Sequence, residues 1–419
     1  MMERTSKKPT KKEVEPETPE GETPPETEEV VELAKPSEED LKKFSKEEIA
    51  QQGKLSRVAA TLARHFGDKS MMYLREHPDY AKVQYWISTG NYAMNWACSG
   101  RAVGGGIPAG RVIDLFGDPS CGKSLVLAHI LAETQKAGGI AVLYDVEATF
   151  DRLFAERIGL NWSDLLYTKA YRKEKRQVDL VQSDGKIKKV TIDKAVGAST
   201  QRVLEMLDET IDIMHHEFPD QLITIGVDSV SNLTTEHELD VGTEKKDMTK
   251  AGSVRQMMRL LEGKMSDMNV TLVITNHTTV NIDANPFAKR KYGPHQDKGT
   301  PGGSGVPFAS SIRLDLARGH DIAVNKFDVV GHEMKVHVFK NKVHQAKKTV
   351  FVDMTFEKGV EPYSGLVDVL VNKDVVEELG EKVYRYKGKR FKRNKMHPYP
   401  GFDEMVAKYP ELLEALNET

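Results

Sequence analysis

The sequence predicts an α/β fold in which a mostly parallel sheet is covered by helices on both faces. Two observations lead to this prediction. Short apolar runs of strand length alternate with segments whose apolar residues recur at helical spacing, and one such strand passes directly into a glycine-rich turn followed by a helix. The predicted strands are 111–117, 140–147, 222–230, 270–278, 311–318 and 333–342, and the predicted helices are 124–138, 198–218 and 253–268.

The length and composition indicate one large core with smaller appendages. The chain has 419 residues, of which 39% are hydrophobic and 29% are charged, enough apolar residues for a packed interior. No stretch approaches the roughly 18 apolar residues of a membrane helix, and no signal-peptide pattern is present, so we expect no membrane association. The two cysteines, Cys98 and Cys121, indicate a reducing, cytoplasmic setting.

Charge is distributed unevenly along the chain. Residues 13–40 hold twelve acidic residues and one basic residue, whereas residues 385–395 hold seven basic residues and no acid. Such asymmetry suggests nucleic acid as a partner, with an acidic tail that competes for the same surface. Two solvated charge runs are the alternative.

We expect four regions along the chain. Residues 1–40 have the composition of a disordered acidic tail. Residues 41–80 form a helical arm, since apolar positions recur at helical spacing from 45 to about 74. We expect this arm to serve subunit packing, although the periodicity fits packing on the chain's own core equally well. Residues 81–355 form the α/β core, with a hairpin insertion at about 170–195 around a Ser-Asp-Gly turn. Residues 356–419 form a small C-terminal α/β domain with helices at 367–379 and 402–416.

The strongest local signal is a phosphate-binding loop. The pattern G-x-x-x-x-G-K-S lies between an apolar strand and a helix, which is the context that such a loop requires. Its backbone N–H groups turn toward phosphates at a helix N-terminus, Lys123 contacts the β- and γ-phosphates, and the Ser124 hydroxyl ligates Mg²⁺. The loop comprises Gly117, Asp118, Pro119, Ser120, Cys121, Gly122, Lys123 and Ser124.

Three acidic residues are candidates for the remaining chemistry. Asp228 ends an apolar strand and is the candidate for the second metal ligand, because burial of a carboxylate without a role is costly. Hydrolysis also needs a group that deprotonates the attacking water. Glu147 follows the strand that comes next in sequence after the phosphate loop, and Asp145 lies two residues earlier, so the residues alone leave both as candidates.

Six stretches, taken in order, resemble the bacterial RecA family of recombinases, with some features nearer to phage recombinases of the UvsX type. The resemblance covers about residues 50–390, with the hairpin as an insertion, and it implies a RecA-type P-loop ATPase core. The stretches are LARHFGDKSMMYL (62–74), the segment 87–124 that ends in the phosphate loop, VLYDVEATFDRLFAERIG (142–159), GVDSVSNLT (226–234), GTPGGSGVPFASSIRLDLAR (299–318) and VFKNK (338–342).

This resemblance implies roles for residues around the nucleotide. Glu147 becomes the catalytic glutamate, and Asp151 and Phe154 become contacts of the adenine ring. His277 stands where bacterial members have glutamine and UvsX-like members have histidine, and either residue can sense the γ-phosphate. The implied cofactors are ATP and Mg²⁺.

Two lysines are implied to act between subunits. Lys340 and Lys342 match the lysines that reach across a subunit interface to the neighbour's ATP, where positive charge neutralises the transition state. Exposed lysines on an ordinary strand are the alternative. Phe308 matches the aromatic residue that couples the ATP site to a DNA loop.

Two long segments, 237–250 and 279–303, correspond to the DNA-binding loops of the family. Long segments without a periodic pattern are usually functional or disordered, and lysines with glycines suit a sequence-tolerant grip on phosphates. The expected DNA-binding residues are Lys250, Arg255, Arg259, Lys289, Arg290, Lys291, Lys298, Gly302 and Gly303.

The resemblance thus implies a DNA-dependent ATPase that forms a filament on single-stranded DNA and exchanges strands with homologous double-stranded DNA. The basic stretch 385–395 is a candidate for capture of the duplex, and single-strand-binding and mediator proteins are expected partners. One alternative is a ring-forming replicative helicase of the same core fold. Another is a DNA-coating filament in which ATP governs only assembly.

Overall fold

The computed structural model describes residues 46–66, 82–169, 171–181, 186–197, 199–233, 250–280, 298–299, 305–325, 327–380, 383–392, 406 and 410–417. By its contacts the chain divides into two units, Met1–Ala81 and Lys82–Thr419. The expected acidic tail, residues 1–40, lies outside the described residues. Within the described part of the chain, no helix is both long enough and apolar enough to cross a membrane.

Helices and strands alternate through most of the second unit. Among the described residues, the first unit contains the helix α1 (Lys46–Phe66). The described helices of the second unit are α2 (Tyr92–Ser99), α3 (Lys123–Lys136), α4 (Arg152–Arg157), α5 (Thr200–Glu217), α6 (Lys250–Met268), α7 (Gly305–Ala309), α8 (Leu366–Asn372) and α9 (Glu411–Glu414). The strands are β1 (Trp86–Ile87), β2 (Ile107–Pro108), β3 (Val112–Gly117), β4 (Ile140–Asp145), β5 (Leu165–Thr168), β6 (Tyr171–Val181), β7 (Ile187–Gly197), β8 (Ile223–Asp228), β9 (Val270–His277), β10 (Thr279–Val280), β11 (Lys298–Gly299), β12 (Ile312–Asn325), β13 (Asp328–Asn341), β14 (Thr349–Thr355), β15 (Gly359–Val360), β16 (Glu377–Gly380), β17 (Val383–Tyr386) and β18 (Lys389–Lys392).

In the part of the chain that the structure describes, the central sheet has nine strands in the order β15-β14-β13-β12-β3-β9-β8-β4-β5. The pairings from β12 to β5 are parallel, and those from β12 to β15 are antiparallel. The predicted α/β class with a mostly parallel sheet is therefore confirmed. Because the parallel strands run in one direction, they all end at the same edge, which we call the carboxyl edge; the opposite edge is the amino edge.

Alternation of side chains along the strands explains the two hydrophobic layers. In β3, Ile113 and Leu115 pack in a cluster that includes α2, α3 and α8, whereas Val112 packs in a second cluster with α5 and α6. Successive residues of a strand point to opposite faces, so each face of the sheet has its own helical cover. This burial on both faces explains why the parallel strands are continuous apolar runs in the sequence.

One hairpin lies close to its predicted limits, and a second hairpin joins two strands that were predicted separately. The hairpin predicted at about 170–195 is formed by β6 and β7, which pair from Tyr171 with Gly197 to Val181 with Ile187, and the expected Ser-Asp-Gly turn lies outside the described residues. The strand predicted at 311–318 continues to Asn325 and pairs with β13 in a long second hairpin. Polar residues in this extension obscured its strand pattern in the sequence.

The C-terminal region corrects one helix prediction. The helix expected at 367–379 ends at Asn372, and β16 begins at Glu377. Asp374 between them has a φ of 58°, which interrupts a helix. The buried residues Val376, Tyr384 and Leu412 belong to the same hydrophobic cluster as α3. The boundary of a C-terminal domain at 356 stays a prediction. Within the helix expected at 402–416, the structure describes the short helix α9 (Glu411–Glu414).

Candidate active site

The residues predicted to meet the nucleotide converge on the carboxyl edge of the sheet. The phosphate loop leaves β3 at Gly117, which pairs with His277 at the end of β9. Asp228 ends β8 and pairs with Asp145 at the end of β4, two residues before Glu147. Ligands of open α/β sheets bind outside the carboxyl ends of the strands. The sheet thus brings together side chains that are up to 160 residues apart in sequence, as the hydrogen bond of Thr278 to Asp118 shows directly.

The phosphate loop turns directly into α3. Gly122 precedes the helix with a φ of 97°, a backbone conformation that strains residues with a side chain. Lys123 is buried, and its Nζ donates hydrogen bonds to the carbonyl oxygens of Gly117 at 3.2 Å and Asp118 at 2.8 Å. The ammonium group is therefore held inside the loop, next to the helix N-terminus that favours anions.

Ser124 and Asp228 form a pair suited to a divalent cation. Ser124 and Thr275 donate hydrogen bonds to the Asp228 carboxylate, which is 8% exposed. Burial raises the pKa of Asp228, and the two hydrogen bonds oppose that rise. A hydroxyl with one carboxylate fits Mg²⁺, which usually takes few protein ligands and completes its shell with water and phosphate oxygens.

Glu147 lies between a hydroxyl and an imidazole. The Ser229 hydroxyl donates to its Oε1 at 2.7 Å, and Nε2 of His277 lies 3.2 Å from the same oxygen. Among the described residues both contacts reach Oε1, which leaves Oε2 to accept a proton from water. Ser229 follows Asp228 directly and was not predicted from the sequence, because serine after a strand has no distinctive pattern.

Asp145, the rival of Glu147, has its carboxylate occupied by structural hydrogen bonds. Its oxygens accept from the backbone N–H groups of Thr149 at 3.2 Å and Phe150 at 3.0 Å and from the Tyr167 hydroxyl at 2.9 Å. Burial and then this hydrogen bond raise the pKa of Tyr167. The geometry gives Asp145 the task of fixing the segment after β4, and so favours Glu147 as the proton acceptor.

A cavity of about 140 Å³ next to the phosphate loop could hold the base of a nucleotide. Its wall includes Ser124, Ala128, Leu131, Asp151 and the half-buried ring of Phe154. The Asp151 carboxylate accepts the backbone N–H of Phe154 at 2.9 Å, and so begins α4 and directs the aromatic ring toward the cavity. An aromatic ring beside an apolar helix face suits a purine.

The two lysines predicted to act between subunits lie at the amino edge, away from the phosphate loop of their own protomer. Lys340 pairs with Arg313, which pairs in turn with Asp114, three residues before Gly117. At roughly 3.3 Å per residue, this is about 10 Å from the end of β3 along the strand. The Lys340 ammonium donates to the carbonyl oxygens of Pro307 at 2.7 Å and Phe308 at 3.0 Å.

Lys340 and Lys342 therefore contact the helices that follow the two predicted DNA loops. Lys340 binds the last turn of α7, and Lys342 lies 3.2 Å from the Glu262 carboxylate on α6. Desolvation, the largest cause, and then the charge of Lys342 lower the pKa of Lys340 to about 8. Phe308 on α7 is 73% exposed, a large apolar side chain facing solvent.

The predicted DNA segments are only partly described. Residues 237–249 of the first, and 281–297 and 300–303 of the second, lie outside the described residues, and with them Lys289, Arg290, Lys291, Gly302 and Gly303. Lys250 and Lys298 are described by their backbone alone, in α6 and β11. The segment from 279 to 303 was expected to be one loop without strands. Instead, it contains two short strands, β10 and β11, which pair with each other.

Both DNA segments lead into helices that touch each other. Arg255 and Arg259 are exposed on α6, one turn apart. A Cβ atom on Gly305 would lie 2.7 Å from the Arg255 Cα atom, so glycine is required for the backbone of α7 to approach α6. This contact was not predicted from the sequence, because Gly305 lies among several other glycines.

The basic stretch 385–395 is partly neutralised. Arg385 donates to the Glu377 carboxylate at 2.8 Å, and Lys387 donates to Glu411 at 2.6 Å. Arg390 is exposed, and residues 393–395 lie outside the described part of the chain.

Comparison with known proteins identifies the family. The sequence matches the RecA N-terminal domain over residues 54–209 and 205–361, which together exceed half of the chain. The chain belongs to the RecA family. Membership makes it a RecA-family recombinase with the family's functions in DNA recombination and repair, ATP binding and DNA binding.

Individual relatives agree with this RecA-family assignment over most of the chain. Protein RecA of Anaplasma marginale (strain Florida) is 29% identical over 338 residues, which is 80% of each chain. Protein RecA of Mesomycoplasma hyopneumoniae (strain 7448) is 27% identical over 358 residues, 84% of this chain and 90% of the relative. Protein RecA of Methylobacterium sp. (strain 4-46) is 29% identical over 323 residues, 77% and 76% of the two chains.

Proposed function

We propose that the protein forms a filament on single-stranded DNA, hydrolyses ATP between adjacent protomers, and exchanges the bound strand with homologous double-stranded DNA. The observation that carries this proposal is the position of Lys340 and Lys342. They lie at the amino edge of the sheet, whereas the phosphate loop lies at the carboxyl edge. Lysines at the amino edge are suited to the nucleotide of another protomer and not to their own.

Within one protomer, residues of the phosphate loop and of the strand ends beside it prepare the hydrolysis step. Lys123 and the loop N–H groups bind the phosphates, and Ser124 with Asp228 would hold Mg²⁺, whose charge stabilises the phosphate oxygens. Oε2 of Glu147 takes the proton of the attacking water, while Ser229 and His277 fix the other carboxylate oxygen.

The neighbouring protomer supplies the remaining charge. Lys340 and Lys342 close on the γ-phosphate of the adjacent subunit and stabilise negative charge in the transition state. Because these lysines also contact α7 and α6, nucleotide at the interface is linked to the helices that follow both DNA segments. Hydrolysis then loosens the interface and releases DNA.

DNA is held through its backbone and compared through its bases. Arg255 and Arg259 on α6, together with the lysines of 279–303, suit a sequence-tolerant grip on phosphates, so homology is tested by base pairing. The basic stretch 385–395 first captures the duplex, and single-strand-binding and mediator proteins assist loading. The protein acts in the cytoplasm, in keeping with Cys98 and Cys121, which are both free and buried.

The test is a strand-exchange reaction between a single-stranded circle and a homologous linear duplex. Wild type should form joint molecules with ATP and Mg²⁺, whereas Lys123→Ala should not. A heterologous duplex of equal length is the matched control. Electron microscopy of the same reactions should show helical filaments; closed six-membered rings without joint molecules would instead favour a helicase. Hydrolysis that DNA does not stimulate would favour a DNA-coating protein.

A further inference from the structure

Buried polar side chains connect three strands behind the nucleotide site. The Arg313 Nε donates to Asp114 Oδ2 at 2.7 Å, and the Asn276 amide donates to Asp114 Oδ1 at 3.1 Å. The Ser231 hydroxyl donates to the Asn276 carbonyl oxygen at 3.4 Å and accepts the backbone N–H of His277 at 2.8 Å. The series thus ends on the backbone of the residue that contacts Glu147.

The other end of the series leads to Lys340. The Arg313 guanidinium lies 4.4 Å from the ring centre of Phe116 and 5.5 Å from that of Phe339. The register shifts between Arg313 and Leu314, whose partners are Lys340 and Val338, so Phe339 is an extra residue in β13. Such a bulge redirects the side chains around it, and the next side chain is that of Lys340.

Burying this series of polar and charged side chains costs free energy of folding, which suggests that the series has a function. Asp114 and Asn276 are fully buried and Arg313 is 8% exposed. Burial raises the pKa of Asp114, and the charge of Arg313 opposes the rise. Apolar residues of similar volume often stabilise a fold as well as a buried ion pair does, so packing alone gives no reason for an ion pair at this place.

We propose that Asp114 and Arg313 are positioning residues for ATP hydrolysis, which hold His277 for the protomer's own nucleotide and Lys340 for that of its neighbour. The proposal rests on the proposed function, since it takes Lys340 to act across the interface. Asp114 fixes the end of β9 through Asn276, and Arg313 fixes the bulge through Phe339. One ion pair therefore sets the geometry of two sites at opposite edges of the sheet.

The test replaces the pair without leaving an unpaired charge. Asp114→Leu combined with Arg313→Met should fold, because both charges are removed together. We expect the kcat of DNA-stimulated hydrolysis to fall about 10- to 100-fold, the usual effect of a misplaced catalytic group, while KM for ATP stays within about threefold. The matched control is Thr134→Val with Thr224→Val, which removes a buried hydrogen bond of 2.7 Å between α3 and β8 and should leave kcat unchanged.

A second variant, Arg313→Lys, tests the proposal in case the double variant does not fold. Arg313→Lys retains a charge opposite Asp114 but loses the planar group that stacks on the two phenylalanine rings, and it should also lower kcat with KM retained. Wild-type kcat in both Arg313 variants, with Lys123→Ala inactive, would overturn the positioning role alone. Hydrolysis that survives Lys123→Ala would contradict the proposed function and the positioning role together.

Discussion

Amide substitution at Glu147 should lower turnover and spare stability, whereas the same substitution at Asp145, only two residues away, should do the opposite. Glu147→Gln removes the proposed proton acceptor, whereas Asp145→Asn removes an acceptor of structural hydrogen bonds. We expect Glu147→Gln to retain stability and nucleotide binding and to lose turnover. We expect Asp145→Asn to lose stability and to retain turnover in the molecules that remain folded.

The hydrogen bonds give the magnitudes. The Asp145 carboxylate accepts one bond at Oδ1, from Thr149, and two at Oδ2, from Phe150 and Tyr167. In Asp145→Asn the new amide would keep its oxygen toward the two donors, so its buried nitrogen would face the Thr149 N–H, a donor against a donor. Leaving this buried amide N–H without an acceptor costs about 1–3 kcal/mol. For Glu147→Gln, loss of a general base lowers kcat by about 10²–10⁴-fold, which is about 3–5 kcal/mol in the barrier.

Thermal unfolding and DNA-stimulated hydrolysis, measured on the same preparations, separate the two outcomes. At roughly 2–4 °C per kcal/mol, the melting temperature of Asp145→Asn should fall by several degrees, and that of Glu147→Gln should stay near wild type. A fluorescent ATP analogue should still bind Glu147→Gln. If Asp145→Asn loses turnover at unchanged stability while Glu147→Gln remains active, then the assignment of the two carboxylates is wrong.

Three further variants probe other parts of the site. The charge of Lys340 is lost as pH rises through its pKa of about 8. ATP-dependent assembly, measured by light scattering, should therefore weaken between pH 7 and 9. Lys340→Arg stays charged over this range and should remove the pH dependence. Asp228→Asn should raise the Mg²⁺ concentration for half-maximal hydrolysis at least about tenfold, as a magnesium titration measures. Gly305→Ala should lower stability by about 1–3 kcal/mol and weaken DNA stimulation, because its Cβ meets the Arg255 backbone; normal denaturation and stimulation would contradict that contact.

Much of the fold follows from local patterns in the sequence. The strands β3, β4, β8 and β9 are apolar runs because both faces of a parallel sheet are covered. The helices α5 and α6 have apolar residues at helical spacing. The same reasoning failed where tertiary contacts decide the structure. Val375 and Val376 continue the apolar pattern of α8, yet Asp374 ends the helix and Val376 packs in the core.

The candidate site was predictable where one motif holds several residues together. The phosphate loop is continuous in sequence, so its residues were found from their spacing. Ser229 and the Asp114–Arg313 pair come from separate strands, and only the sheet register brings Arg313 beside Asp114 across 199 residues. A single buried serine or arginine carries no such signal in the sequence.

The polarity of the sheet has a consequence for assembly. A protomer has its phosphate loop at the carboxyl edge and Lys340 and Lys342 at the amino edge. The interface that we propose joins these two different surfaces, so it would be head to tail. Such a contact repeats in one direction and forms either a ring or an open helix. In an open helix each protomer receives lysines from one neighbour and supplies them to the other. The number of complete sites would then be one fewer than the number of protomers. We therefore expect turnover per protomer to rise with filament length, and a longer single-stranded DNA to support faster hydrolysis per protomer.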